Sequence, residues 1–224
     1  MTCGIAPGRR PTSASALTIV SAWVSDATTT ASGLREALSV ATERAVETTS
    51  KSGGFLDDPR IHIKLPGKLE TMANALRAVG MGAQVDELEV AMNHAAESAA
   101  GEATPVFGDA IKSMSFDDAA GILRGGDTAA TTYFKKKTTV PLTAKFRPIV
   151  NDAMKNVGVT KQYEALVGQY TSTPFVSAPK LDLNAYVTDQ ALAGLFKVVG
   201  DEEKRIRKDP AARATELLKQ VFAH

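Results

Sequence analysis

The chain has 224 residues, 44% of them hydrophobic and 23% charged, which is enough to bury one sizeable core. Its 26 lysines and arginines offset 25 acids to leave a net charge of +1, so no global field draws it to nucleic acid or to an acidic membrane. A single cysteine, Cys3, excludes an intramolecular disulfide and a thiolate metal centre, and His62, His94 and His224 lack zinc-site spacing, so neither metal nor cofactor is expected.

Residues 1–31 read as an N-terminal tail. No acid precedes Asp26, and Arg9 and Arg10 stand before "PTSASALTIVSAWV". An arginine pair ahead of a small-residue apolar run resembles a truncated export signal, and a transit-peptide remnant or a plain disordered tail has the same look. The run is too short and too interrupted by Ser and Thr to span a membrane, and no other segment comes closer. Trp23 is expected to pack this tail onto the body, the commoner role, or to touch a membrane surface.

From residue 32 to 224 one helical domain is expected. Leu34, Leu38, Ala41 and Ala45 mark a helix that ends before Gly53–Gly54. Ile61, Ile63 and Leu65 then alternate with His62 and Lys64, which predicts a short extended segment or small hairpin near residues 60–65, with His62 facing outward. Pro66 and Gly67 open a helix bearing Leu69, Met72, Leu76 and Val79, closed by Gly80. Its partner in an αα-hairpin carries Val85, Leu88, Met92, Ala95 and Ala99. Pro105 begins a further element with Phe107, Ala110, Ile111 and Met114, and Ser115 with Asp118 forms a capping-box pattern.

The stretch "GILRGGDTAATTYFKKKT" invites comparison with a phosphate-binding loop, because Gly121 and Gly126 have Walker A spacing. That loop needs Lys and then Ser or Thr next, and Asp127 here would repel a phosphate. A helix–turn–helix accounts for more of the residues. Gly125 or Gly126 would supply a left-handed residue, Asp127 would cap the next helix, and Ala129, Ala130, Tyr133 and Phe134 would form its apolar stripe. Lys135, Lys136 and Lys137 would fall in its last turn. Thr128, Thr131, Thr132, Thr138 and Thr139 are poor helix formers, which hints at polar contacts with a neighbour or ligand.

A separate helix, kinked near Pro148, is expected over Leu142, Phe146, Ile149, Val150, Ala153 and Val157, then a short one with Tyr163, Leu166, Val167 and Tyr170. "TSTPFVSAPKLDLN" reads as a loop. A long helix from about Thr188 presents Ala191, Leu195, Val198 and Val199, with Asp201–Arg205 and Glu203–Arg207 as i,i+4 pairs. Asp209 and Pro210 would start a last helix with Leu217, Leu218, Val221 and Phe222. The fold class is all-α: a single-domain multi-helix bundle.

The chemistry-bearing residues form one candidate polar pocket between helices. Asn93 and Glu97 lie one turn apart, Lys112 and Arg124 offer cations, and Asp127, Thr131 and Tyr133 would close it. The plainer reading, preferred for Glu97, is a solvated helix face with ordinary caps, His94 a surface histidine and Asp57–Asp58 a turn signal. No catalytic residue is assigned.

"GFLDDPRIHIKLPGKLE", "MNHAAESA", "AIKSMSFDDAAGILRGGDTAATTYFKKKT", "LTAKFRPIV" and "YVTDQALAGLFKVVGDEEKRIRKDP…LLKQVF", in this order, resemble the bacterial domain-of-unknown-function 4197 family from about Ser32 to Phe222. The resemblance implies a helical fold and an N-terminal export signal, hence a periplasmic or otherwise extracytoplasmic location, with a cytoplasmic or organellar one as the alternative. It carries no activity or catalytic residue. Three functions follow. The first is a non-catalytic protein that binds a small or apolar ligand, or an envelope protein partner, through a groove between helices kinked at Pro105 and Pro148. The second is an enzyme with a carboxylate/lysine pocket. The third is a structural or homo-oligomerising module with an apolar patch near Leu218 and Phe222. Nucleic acid is not expected as a partner, since Tyr133 and Phe134 beside the lysine cluster fit a core stripe better.

Overall fold

The computed structural model describes residues 13–156, 159–171 and 181–209. Helix α1 (Ser13–Ser50) leads into an irregular segment, then α2 (Gly67–Ala78) and α3 (Gly82–Ala100) form the αα-hairpin. Helices α4 (Ala103–Lys112), α5 (Phe116–Arg124), α6 (Ala129–Asn156), α7 (Val159–Thr171) and α8 (Leu183–Lys208) follow. No strand occurs among the described residues. The fold is all-α. Helix α6 packs along α8 and α3, while α1 lies along α8 and α4.

The centre of the bundle is aromatic. Phe107 of α4 meets Phe134 of α6 edge to face at 5.2 Å and Phe196 of α8 at 6.2 Å, so three helices share one cluster. Each fully buried side chain of this size contributes about 1.5–3 kcal/mol by leaving water, and such ring pairs add roughly 1 kcal/mol more. Two tight turns depend on glycine: Gly53 after α1 has φ 77° and Gly80 after α2 has φ 87°.

Helix α6 corrects the expectation of two helices parted near residue 140. Ala130, Phe134, Thr138, Leu142, Phe146, Val150 and Met154 recur every fourth residue as one buried row. Pro141 and Pro148 lie on the exposed side, and burial of that row outweighs a loss of about 3 kcal/mol at each proline. Thr131 does contact a neighbouring helix, donating its hydroxyl to Glu203 of α8 at 2.8 Å. Thr132, Thr138, Thr139 and Thr143 instead donate to carbonyls four residues back at 2.9, 2.7, 2.6 and 2.8 Å, within α6 or its first turn.

Other local expectations divide. The Ser115–Asp118 capping box forms in both directions. Gly125 is not left-handed, with φ −78°; it is small because a Cβ there would lie 2.5 Å from that of Ala129. Helix α8 starts at Leu183 rather than near Thr188, because Asp182 accepts from the Ala185 N–H at 2.9 Å. Asp201 pairs with Lys197 and Arg60, and Arg205 with Glu202, so the Asp201–Arg205 pair does not form. The first 12 residues, Val157, most of the loop before α8 and the helix expected after Pro210 lie outside the described residues, as does the Trp23 side chain. Helix α1 crosses position 31, where the tail was expected to end.

Candidate functional site

One polar row runs up α3 at intervals of four: Glu89, Asn93, Glu97. Ala96 and Ala100, which flank the row at helical spacing, are fully buried beside it. The segment after α1 is mostly turns up to Ile61, and residues 62–66 that follow have no partner strand, so the hairpin alternative does not occur. Asn93 takes the strand's place. Its Oδ1 accepts from the Ile63 N–H at 2.8 Å and its Nδ2 donates to the Ile63 carbonyl at 2.9 Å. One side-chain amide thus satisfies both backbone groups of a buried residue.

Glu97 is 4% exposed, which corrects the solvated-face reading. Its Oε1 accepts from the N–H groups of Phe55 at 3.0 Å and Leu56 at 3.1 Å. Its Oε2 lies 2.7 Å from His94 Nδ1, so His94 is not a solitary surface ring. His62 does not face outward alone either: Nδ1 is 2.7 Å from the Leu56 carbonyl and Nε2 is 2.7 Å from Glu89 Oε1. Asp58 closes the turn by accepting from the Arg60 backbone and guanidinium, and that guanidinium bond holds its carboxyl below the usual range. Arg60 also reaches Asp201 on α8 at 2.9 Å.

A second buried carboxylate, absent from the sequence-derived pocket, sits on α8. Glu203 accepts from the N–H groups of Ala130 and Thr131, both at 2.9 Å, and from the Thr131 hydroxyl at 2.8 Å. It therefore caps α6, the role expected of Asp127, and its negative charge lies at the positive end of the helix. Arg207 holds Glu203 Oε1 through Nε at 3.0 Å and Nη2 at 2.9 Å, and Nη2 also donates to the Ile122 carbonyl at 2.9 Å. The signal was in the sequence, since Glu203 continues the buried stripe of Leu195, Val199 and Ile206.

The predicted pocket residues thus fall in separate places. Asn93 and Glu97 share the α3 row, and Thr131 belongs to the Glu203 centre. Tyr133 is buried, donates to the Ala110 carbonyl at 2.8 Å, and its phenol is raised by burial. Asp127 pairs with Lys208, whose bond lowers its carboxyl. Arg124 is exposed, and Lys112 is exposed opposite Asp109 at 4.0 Å.

A hollow of about 700 Å³ lies elsewhere, between the second half of α6 and the start of α8. Val140, Ala144, Pro148, Thr139 and Thr143 line it together with Arg147, Asn151, Asp182 and Asn184. Pro148 lines this hollow, whereas Pro105 lies on α4 and does not. Asn184 Nδ2 donates to Asn151 Oδ1 at 3.0 Å, and Arg147 stands 3.6 Å from Asp182 with both side chains more than half exposed. Among the described residues, no three His, Cys, Asp or Glu are grouped to hold a metal ion, and no helix is long and apolar enough to cross a membrane.

No curated protein and no solved structure matches the chain. A family model described as "Protein of unknown function (DUF4197)" matches residues 24–223. The polar clamp on α3, the capped α6 and the groove beside Pro148 are all within that span, and the chain belongs to the DUF4197 family.

Proposed function

We propose that the chain is a non-catalytic helical binding protein that takes a small, mainly apolar ligand with one anionic group in the groove between α6 and α8. The observation that carries this reading is the groove itself. Its volume of about 700 Å³ lies in the range of small-molecule sites. Val140, one of its walls, is 80% exposed, an apolar cost that a ligand would remove. Pro148 has no N–H to give the Ala144 carbonyl, so this wall keeps an acceptor that the helix itself does not use. Arg147, loosely held by Asp182, supplies the cation for an anionic end. Glu97 and Glu203, by contrast, already bond the protein's own amides, which favours binding over acid–base chemistry. The Arg9–Arg10 pair and the acid-free stretch before Asp26 support work outside the cytoplasm. Finding the protein in the periplasmic fraction of its host would test that location.

Titration with a dansylated fatty acid tests the groove. Saturable fluorescence is expected, weakened by about tenfold or more in Ala144→Trp, which fills the groove from an exposed position. Arg147→Ala should weaken it by roughly threefold to tenfold. Unsaturable binding, or equal affinity in Ala144→Trp, would overturn the reading.

A further inference from the structure

His62 is held between two acceptors. Its Nδ1 faces the Leu56 carbonyl and its Nε2 faces Glu89 Oε1, each at 2.7 Å. A carbonyl oxygen can only accept, so Nδ1 carries a hydrogen. An ionised carboxylate can only accept as well, so the Nε2–Oε1 contact needs a hydrogen of its own, whether ring or acid holds it. Both contacts are satisfied together only when the pair holds one more proton than a neutral imidazole beside an ionised carboxylate would have. Both side chains are largely covered, 20% and 24% exposed, so water screens the contact weakly.

We propose that the His62–Glu89 pair is a proton-dependent latch that holds the segment from Phe55 to Leu65 on α3 and opens as the pH rises. With the shared proton bound, the ring ties Leu56 to α3. Once it leaves, two lone pairs oppose each other across 2.7 Å and repel. The sign follows directly: the bond is complete at low pH and is lost towards alkaline pH. Histidine is the side chain suited to such a change near neutrality.

The neighbouring groups do not replace that proton. On α3, Asn93 is bonded to both backbone groups of Ile63, and Glu97 is bonded to Phe55, Leu56 and His94. On α8, the Tyr186 hydroxyl donates to the Lys64 carbonyl at 2.9 Å. Burial and then the Glu89 charge raise that phenol, so it stays a neutral donor. Within the segment, Asp58 and Arg60 bond each other and Lys64 is exposed. Opening would uncover Phe55, Ile61 and Ile63, now 0%, 6% and 1% exposed, as one apolar strip.

The test is nuclear magnetic resonance on the full chain, reading the His62 ring nitrogens and amide exchange at Ile63, corrected for intrinsic rates, at about pH 6 and about pH 8.5. At the lower pH both ring nitrogens should bear hydrogen or share one with Glu89. Ile63 protection should fall by about tenfold or more at the higher pH, while the buried Phe146 amide keeps its protection. In Glu89→Gln a neutral ring donates from Nδ1 and accepts at Nε2 from the new amide, so Ile63 protection should change less than about twofold. An identical pH profile in the wild type and Glu89→Gln, no change in the wild type, or a bare unbonded Nε2 at the lower pH would overturn the latch.

Discussion

Glu97 on α3 and Glu203 on α8 perform the same task in two parts of the molecule. Each is buried, and each accepts from two consecutive backbone N–H groups brought in from a distant segment. Their counter-groups differ. Glu203 is matched by Arg207, a cation at every accessible pH, with a side chain 12% exposed. Glu97 is matched by His94, which is 46% exposed and charged only when protonated. A buried carboxylate is stable only when its lone pairs and charge are met, so the α8 centre is a permanent fixture and the α3 centre a conditional one.

The largest expected effect is at Glu203. Glu203→Ala leaves two helix N–H groups and the Arg207 cation without their acceptor, and urea denaturation should register a loss of about 3–5 kcal/mol. Glu97→Ala should cost less, about 2–3 kcal/mol, because His94 can turn to solvent. Equal losses in the two variants would break the comparison. Asn93→Ala should cost about 1–3 kcal/mol by orphaning the Ile63 backbone, with faster amide exchange at Ile63 and little change in α6. The smallest effect belongs to Asp58, whose carboxyl the Arg60 guanidinium lowers. A lowered carboxyl stabilises above its unfolded value and loses that contribution as the pH falls through its folded value. Asp58→Asn should therefore cost under about 1 kcal/mol at neutral pH, and stability curves of variant and wild type should converge in acid.

The helical framework was legible because apolar residues recur at helical spacing, as at Leu69, Met72 and Leu76 or Leu142, Phe146 and Val150. Local punctuation was legible where one residue suffices, as at Ser115 and Gly80. What escaped was long-range pairing. Glu203 looked like half of an i,i+4 surface pair, since nothing nearby in sequence reveals that the amides of Ala130 and Thr131 need a cap. Asp127 looked like that cap because caps are usually local. Asn93 and Glu97 were singled out together and do share one row, yet Lys112, Arg124 and Asp127 were drawn to them only by closeness in sequence motifs. The His62–Glu89 pairing joins residues 27 apart and had no local signal.

Gly194 gives the α3 clamp a mechanical counterpart. A Cβ on this residue of α8 would sit 2.5 Å from Phe55 Cε1 and 3.2 Å from Ile61 Cβ. The missing methyl group is the seat into which the clamped segment settles. Filling that seat by Gly194→Ala would act as a doorstop, pressing on Phe55 and Ile61 at every pH. One hydrogen atom at this position thus sets how closely two distant stretches of chain can meet, and evolution could adjust the segment's resting position here without touching a single charged group.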